Sequence, residues 1–303
     1  MTKKIHEYDI ALYKNGNPVL DDDNRKQMRK ALNDKGPGFC LAKWTQVTMH
    51  LGVGLTHSCH HPVAHRIPLE ELKDNPSALH NTGFKKEQRK AMLNGQRPKE
   101  CDYCWRIEDA GNISDRVLKS MDSYSFSQYD AIANSTGEEE VYPKYVEVSF
   151  SNVCNFKCSY CGPTFSSKWA EEIKSKGPYK LANGTAFNWT EDMPLKASED
   201  NPYTDAFWKW YPEAVKHMHT FRITGGEPLL SKHTLKTLQF LLDNPQPDLE
   251  IAINSNACPP GDKWKEFTDV VNKLLSTKSI KRFTLFVSAE SVNKQAEYSR
   301  RGM

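Results

Sequence analysis

Three closely spaced cysteines directly after a strand-like segment constrain this chain more than any other feature. Residues 144–150, KYVEVSF, alternate polar and apolar with the period of two expected of a strand. The segment SNVCNFKCSYCGP follows at once and sets Cys154, Cys158 and Cys161 in a C-x3-C-x2-C array, a spacing that fits a loop wrapped around a metal cluster. Three thiolates suit a cubane iron–sulfur cluster with one iron left open, whereas four cysteines leave no vacant iron. The competing reading is a zinc site completed by a distant Cys or His, because no fourth ligand stands nearby.

The sequence beyond the cysteines alternates helical and strand-like stretches. Helices are expected at 165–175, 204–217, 232–243 and 263–276, and strands at 219–224, 249–255 and 281–288. This order implies a parallel sheet built from right-handed βαβ units, with ligands at the carboxyl ends of the strands. TGGEPLL places Gly225, Gly226 and Glu227 at the end of the second strand. Glycines there let backbone approach a ligand closely, and the Glu227 carboxylate can accept hydrogen bonds from an ammonium group.

The first 143 residues carry a different pattern. Helices are expected at 24–34 and at 83–94, the latter stopped by Gly95, and residues 39–68 read as irregular or β-like with turns at Gly52 and Gly54. Cys40, Cys59, Cys101 and Cys104 lie in this part, the last two as a C-x2-C pair in CDYCW. Four thiolates can coordinate either a zinc ion or a [4Fe–4S] cluster, and spacing does not separate the two. His57, His60, His61 and His65 around Cys59 read as a solvated loop rather than as ligands. Cys258 reads as a loop or packing thiol, and Trp208 and Trp210 as core residues. Residues 121–143 are polar and read as a linker, and residues 176–203 as a long insertion.

Composition removes several alternatives. With 41 basic and 38 acidic residues the net charge is +3, which makes no electrostatic case for nucleic acid or a membrane surface. No apolar run approaches the roughly 20 residues of a membrane helix, and the N-terminus lacks the apolar stretch of a signal peptide. A cytoplasmic chain is therefore the expectation, with its eight cysteines reduced and metal ligation favoured over disulfides.

The C-x3-C-x2-C loop followed by a strand ending in GGEP resembles the radical S-adenosylmethionine (SAM) superfamily. That resemblance implies a [4Fe–4S] cluster on Cys154, Cys158 and Cys161. Its open iron would chelate the amino and carboxylate groups of SAM. Tyr160 would contact adenine, Gly225, Gly226 and Glu227 the methionine amino group, and Asn254 or Asn256 with Ser288 or Glu290 the ribose and carboxylate. The implied activity is reductive cleavage of SAM to a 5′-deoxyadenosyl radical that abstracts hydrogen from a substrate, with a flavodoxin- or ferredoxin-like electron donor as partner. The stretch from Cys40 through Arg89 and Gly95 to Cys101 and Cys104 resembles the twitch or SPASM-type auxiliary cluster module, although here it precedes the radical domain. The module's family suggests a peptide substrate.

The fold expected from these readings is α/β. Residues 1–120 form a small irregular cysteine-rich module, 121–143 a linker, and 144–303 a partial parallel (β/α) barrel of the radical SAM type that stops after its fourth strand. SVNKQAEYSRRGM at the end reads as the opening of another helix. The short barrel admits a chain truncated at its end or completed by a partner, and an alternative function as a catalytically inactive or partner-dependent metal-binding protein.

Overall fold

A computed structural model describes residues 4–11, 13–14, 17–18, 21–177 and 200–302. Most of the stretch read as an insertion, 178–199, lies outside the described residues. The chain divides into two compact units. One comprises Met1–Thr48 with Thr56–Tyr145, and the other Met49–Leu55 with Val146–Met303.

The first unit is mainly helical. Its long helix, Asp22–Lys35, starts where the Asp21 carboxylate accepts from the Asn24 amide and stops at Gly36. The face carrying Met28, Ala31 and Leu32 packs into a core with Phe39, Leu41, Trp44, Met92 and Trp105. Short strands follow at Gln46–His50, Leu55–His57 and His65–Arg66, the first two of which run into the Met49–Leu55 segment of the second unit. Helix Gly83–Leu93 is capped by the Thr82 hydroxyl and ends at Gly95, whose φ of +76° needs no Cβ. Helices Asp102–Asp109 and Asp115–Ser120 complete the cysteine-bearing part.

Residues 121–143 differ from the linker expected of them. Short helices form at Ser123–Phe126 and Tyr129–Ala133, and Met121, Tyr129, Ile132 and Ala133 join the same core. The Tyr129 hydroxyl donates to the Ala31 carbonyl at 2.8 Å. One apolar residue per short turn is enough to dock a segment whose overall composition is polar.

The second unit carries the expected alternation. Its strands are Tyr145–Ser149, Thr220–Thr224, Gln246–Ser255 and Ile280–Val287. From the edge inward they are ordered fourth, third, second, first. The second and third strands pair in parallel, Phe221 opposite Ile251, and so do the third and fourth, Val287 opposite Ser255. Val146, Val148, Phe221, Ile223, Ile251 and Ile253 are buried, while Glu147 and Arg222 between them remain partly exposed. That is the period-two signature of a sheet with one apolar face. Helices Pro202–Ala214, Lys232–Asp243 and Gly261–Ser276 contribute Phe207, Trp210, Tyr211, Leu238, Leu241, Phe267 and Leu274 to the core. On the fourth strand Phe286 and Val287 are exposed.

The end of the chain departs from the expected helix. Lys294–Ser299 is helical, but Arg300–Arg301 then turns into a strand antiparallel to Lys157–Cys158, with Arg300 opposite Cys158. Gly302, at φ +109°, allows this return, because a Cβ there would press on the Asn155 carbonyl oxygen at 2.8 Å.

Candidate metal and cofactor sites

The cysteine loop begins where the first strand ends, and main-chain bonds hold it to the end of the second. Gly226 N–H donates to the Ser151 carbonyl at 3.2 Å, and Glu227 N–H to the Val153 carbonyl at 2.7 Å. A Cβ on Gly226 would strike the Val153 carbonyl oxygen, and one on Gly225, at φ +111°, the Ser149 hydroxyl. The groups that approach these glycines so closely are thus the end of the first strand, at Gly225, and the chain's own cysteine loop, at Gly226.

Within the loop, Phe156 N–H donates to Cys154 Sγ at 3.4 Å. The Ser167 hydroxyl bridges the Cys154 amide and carbonyl, each at 3.2 Å, and Trp169 Nε1 donates to the Cys158 carbonyl at 2.8 Å. Burial pushes the Cys154 thiol up to about 11, with the Glu227 carboxylate and the other two thiols adding to the shift. Burial also raises Cys161. A cationic centre reverses this tendency, because thiolate is the ligating form. Among the described residues no three His, Cys, Asp or Glu side chains stand ready to share a single metal ion.

Apart from Asn254, the other residues singled out fall into two groups. Glu227 is 1% exposed. Its carboxylate accepts from Leu229 N–H at 3.0 Å, the Ser255 hydroxyl at 2.7 Å and Asn256 N–H at 2.7 Å. It therefore joins the ends of the second and third strands. Asn256 also donates through Nδ2 to Asn155 Oδ1 at 2.8 Å, tying the third strand end to the cysteine loop. Ser288 N–H donates to the Ser255 carbonyl at 2.9 Å.

Tyr160 and Glu290 form the second group, which also contains Arg300. The Tyr160 hydroxyl donates to Glu290, and the Arg300 guanidinium donates to the Tyr160 oxygen at 2.9 Å and to both Glu290 oxygens at 3.0 and 3.1 Å. Arg300 is 3% exposed and lies over the Phe156 ring. Hydrogen bonding to Tyr160 and the charge of Arg300 hold the Glu290 carboxyl below its usual range. The Tyr160 ring itself is 62% exposed.

Asn254 stands apart from both groups. Its Oδ1 accepts from Arg222 Nε at 3.0 Å and Nη2 at 2.8 Å, and Arg222 lies 3.9 Å from the Glu147 carboxylate. Sequence reasoning passed over Glu147, Arg222 and Arg300. The first two carried a signal, since each is a charged residue between two apolar strand positions. Arg300 carried none, because its partners are 10 and 140 positions away in the chain.

In the first unit, Cys40, Cys59, Cys101 and Cys104 line one small cavity together with His61 and Arg116. Burial raises all four thiols, Cys101 to about 12. Arg116 donates to both Glu108 oxygens at 2.8 and 2.7 Å and to the Phe39 carbonyl at 2.9 Å. His60 is exposed as expected, but His57, His61 and His65 are less solvated than expected. His61 Nε2 lies 2.7 Å from Asp115 and its ring stacks on Tyr103 at 3.8 Å. His57 meets the Cys59 carbonyl, and His65 lies 3.0 Å from the Thr82 hydroxyl. Cys258 is exposed on its loop.

Comparison with known proteins adds a weak likeness. GTP 3′,8-cyclase of Campylobacter curvus (strain 525.92) and that of Nautilia profundicola (strain ATCC BAA-1463 / DSM 18972 / AmH) are each 27% identical to this chain over 113 residues. The matched stretch covers 37% of this chain and 27% of each relative. It supports a relation to the radical SAM superfamily. No family model matches the chain, and no solved structure matches it significantly. No described helix is long and apolar enough to cross a membrane.

Proposed function

We propose that this chain is a radical SAM enzyme that carries a [4Fe–4S] cluster on Cys154, Cys158 and Cys161. The observation behind this reading is the main-chain docking of the three-cysteine loop on the Gly225–Gly226–Glu227 turn. Cys154, Cys158 and Cys161 would hold the cluster, whose chemistry there would be one-electron reductive cleavage of SAM to methionine and a 5′-deoxyadenosyl radical able to take hydrogen from a substrate. The protein's own part is to bind and orient. Three thiols would leave one iron without a protein ligand, open to the amino and carboxylate groups of SAM. The exposed Tyr160 ring, held by Arg300 and Glu290, offers a face for adenine. Asn256 and Ser288 at the strand ends suit the ribose. Glu227 acts by keeping the turn against the third strand, a role the sequence did not reveal.

The second metal centre belongs to the same proposal. Cys40, Cys59, Cys101 and Cys104 share one cavity, and four thiolates complete the coordination of an auxiliary [4Fe–4S] cluster. Its resemblance to a peptide-modifying module makes a peptide the proposed substrate. The relatives are named for GTP, so GTP is the natural comparison probe. A flavodoxin- or ferredoxin-like protein is the proposed electron donor.

Two observations favour a second reading, in which the chain binds metal but needs a partner chain for turnover. The Glu227 carboxylate already accepts from three protein donors, and the fourth strand leaves Phe286 and Val287 exposed. Anaerobic reconstitution with iron and sulfide, followed by reduction in the presence of SAM, separates the two. The enzyme reading expects 5′-deoxyadenosine. Bound iron without any 5′-deoxyadenosine supports the partner-dependent reading instead.

A further inference from the structure

A buried ion pair that neither coordination nor ordinary core packing requires does not line the four-thiol cavity but lies close enough for its ammonium to act on Cys101 and Cys59. Lys43 and Glu100 contact each other with their side chains only 2% and 9% exposed. Their positions tie this pair to the thiols. Lys43 N–H donates to the Cys40 carbonyl at 3.3 Å, and Glu100 directly precedes Cys101. Placing two charges in the interior costs several kcal/mol per ion before their attraction is counted. An apolar pair would hold the segments together at least as well. Arg89 lies behind Lys43. It is fully buried, donates to the Lys43 carbonyl at 3.4 Å and to Asn81 Oδ1 at 2.8 Å, lies 3.0 Å from His80 Nε2, and has its charge supported by the carboxylates of Glu140 and Glu139.

A buried ammonium whose charge is felt by Cys101 and Cys59 as well as by Glu100 is accounted for if the cavity holds a negative centre. Four thiolates around a cluster core of charge +2 carry a net −2, and one-electron reduction makes this −3. We propose that the Lys43–Glu100 pair sets the reduction potential of the auxiliary cluster, with the Lys43 ammonium favouring the reduced state and Glu100 limiting that effect. The proposal rests on the auxiliary-cluster reading above. Lys43 and Glu100 are positioning residues here, because neither supplies a ligand.

The test uses the full chain with Cys154, Cys158 and Cys161 changed to Ala, so that only the first unit's centre remains. Iron and zinc are quantified, and the potential is read by a redox titration followed by electron paramagnetic resonance. Lys43→Gln should lower the reduced-to-oxidised ratio about tenfold at a given potential, which for one electron is a shift of about 59 mV. Glu100→Gln should shift it in the opposite direction, and Lys43→Arg should leave it near the starting value. If Lys43→Gln does not fold, the rise in Glu100→Gln and the constancy of Lys43→Arg carry the test. Bound iron with equal potentials in all variants, or shifts of one sign in both Gln variants, overturns the charge-setting role and leaves the cluster in place. Zinc without iron overturns the role and the auxiliary-cluster reading together.

Discussion

Glu227 shows how much one side chain settles. Its carboxylate takes three donors from two segments while almost wholly buried. In Glu227→Gln one oxygen becomes an amide donor facing groups that also donate. A buried unsatisfied group costs about 1–3 kcal/mol. The expected result is a lower denaturation midpoint together with weaker SAM binding, and an unchanged midpoint would remove the joining role. Gly226 acts by size alone. Gly226→Ala sets a methyl against the Val153 carbonyl and should displace the cysteine loop. Reconstituted Gly226→Ala protein should lose the iron bound by Cys154, Cys158 and Cys161 while the first unit keeps its own metal. Full iron content in that variant would show that the loop can yield.

At the scale of elements, the strap Arg300–Gly302 lies across the cysteine loop as an added strand. It brings Arg300 to Tyr160 and Glu290 and covers Phe156. Arg300→Ala removes five donors from an almost buried site and leaves Glu290 without its cation. The central cluster should then bleach faster in air, as followed by visible absorbance, and Arg300→Lys should restore part of its lifetime. Equal bleaching rates in all three proteins would make the strap a bystander. The helices and strands around it follow rules visible in the chain. Lys232–Asp243 begins at Ser231, whose hydroxyl accepts from the His233 amide, and the strands show one buried residue in two.

For the whole molecule, neutral buried histidines contribute to the response to acid. Burial, with help from the nearby cations Lys85 and Lys43, lowers His65 to about 3. Burial, with Lys85 and Arg89, lowers His80 well below its usual value. The unfolded chain takes up these protons below about pH 6.5, and the folded chain does not. Stability is therefore full above about pH 6.5 and declines as the pH falls toward the folded values. The urea midpoint of the first unit should drop between about pH 7.5 and pH 5, and a constant midpoint over that range would contradict neutral burial. The cysteine array, the four strands of the second unit and most of its helices were legible in the sequence. Each depends on spacing over a few residues, and backbone geometry converts such spacing directly into a loop, a strand face or a cap. Other features became visible only in the tertiary structure: the packed helices of 121–143, the partners of Glu227, the Arg300 strap and the Lys43–Glu100 pair. They join groups far apart in the chain, and their energies come from excluding water around polar atoms that only the folded chain brings together. A polar residue bound for such a pair has no local pattern that distinguishes it from one bound for solvent.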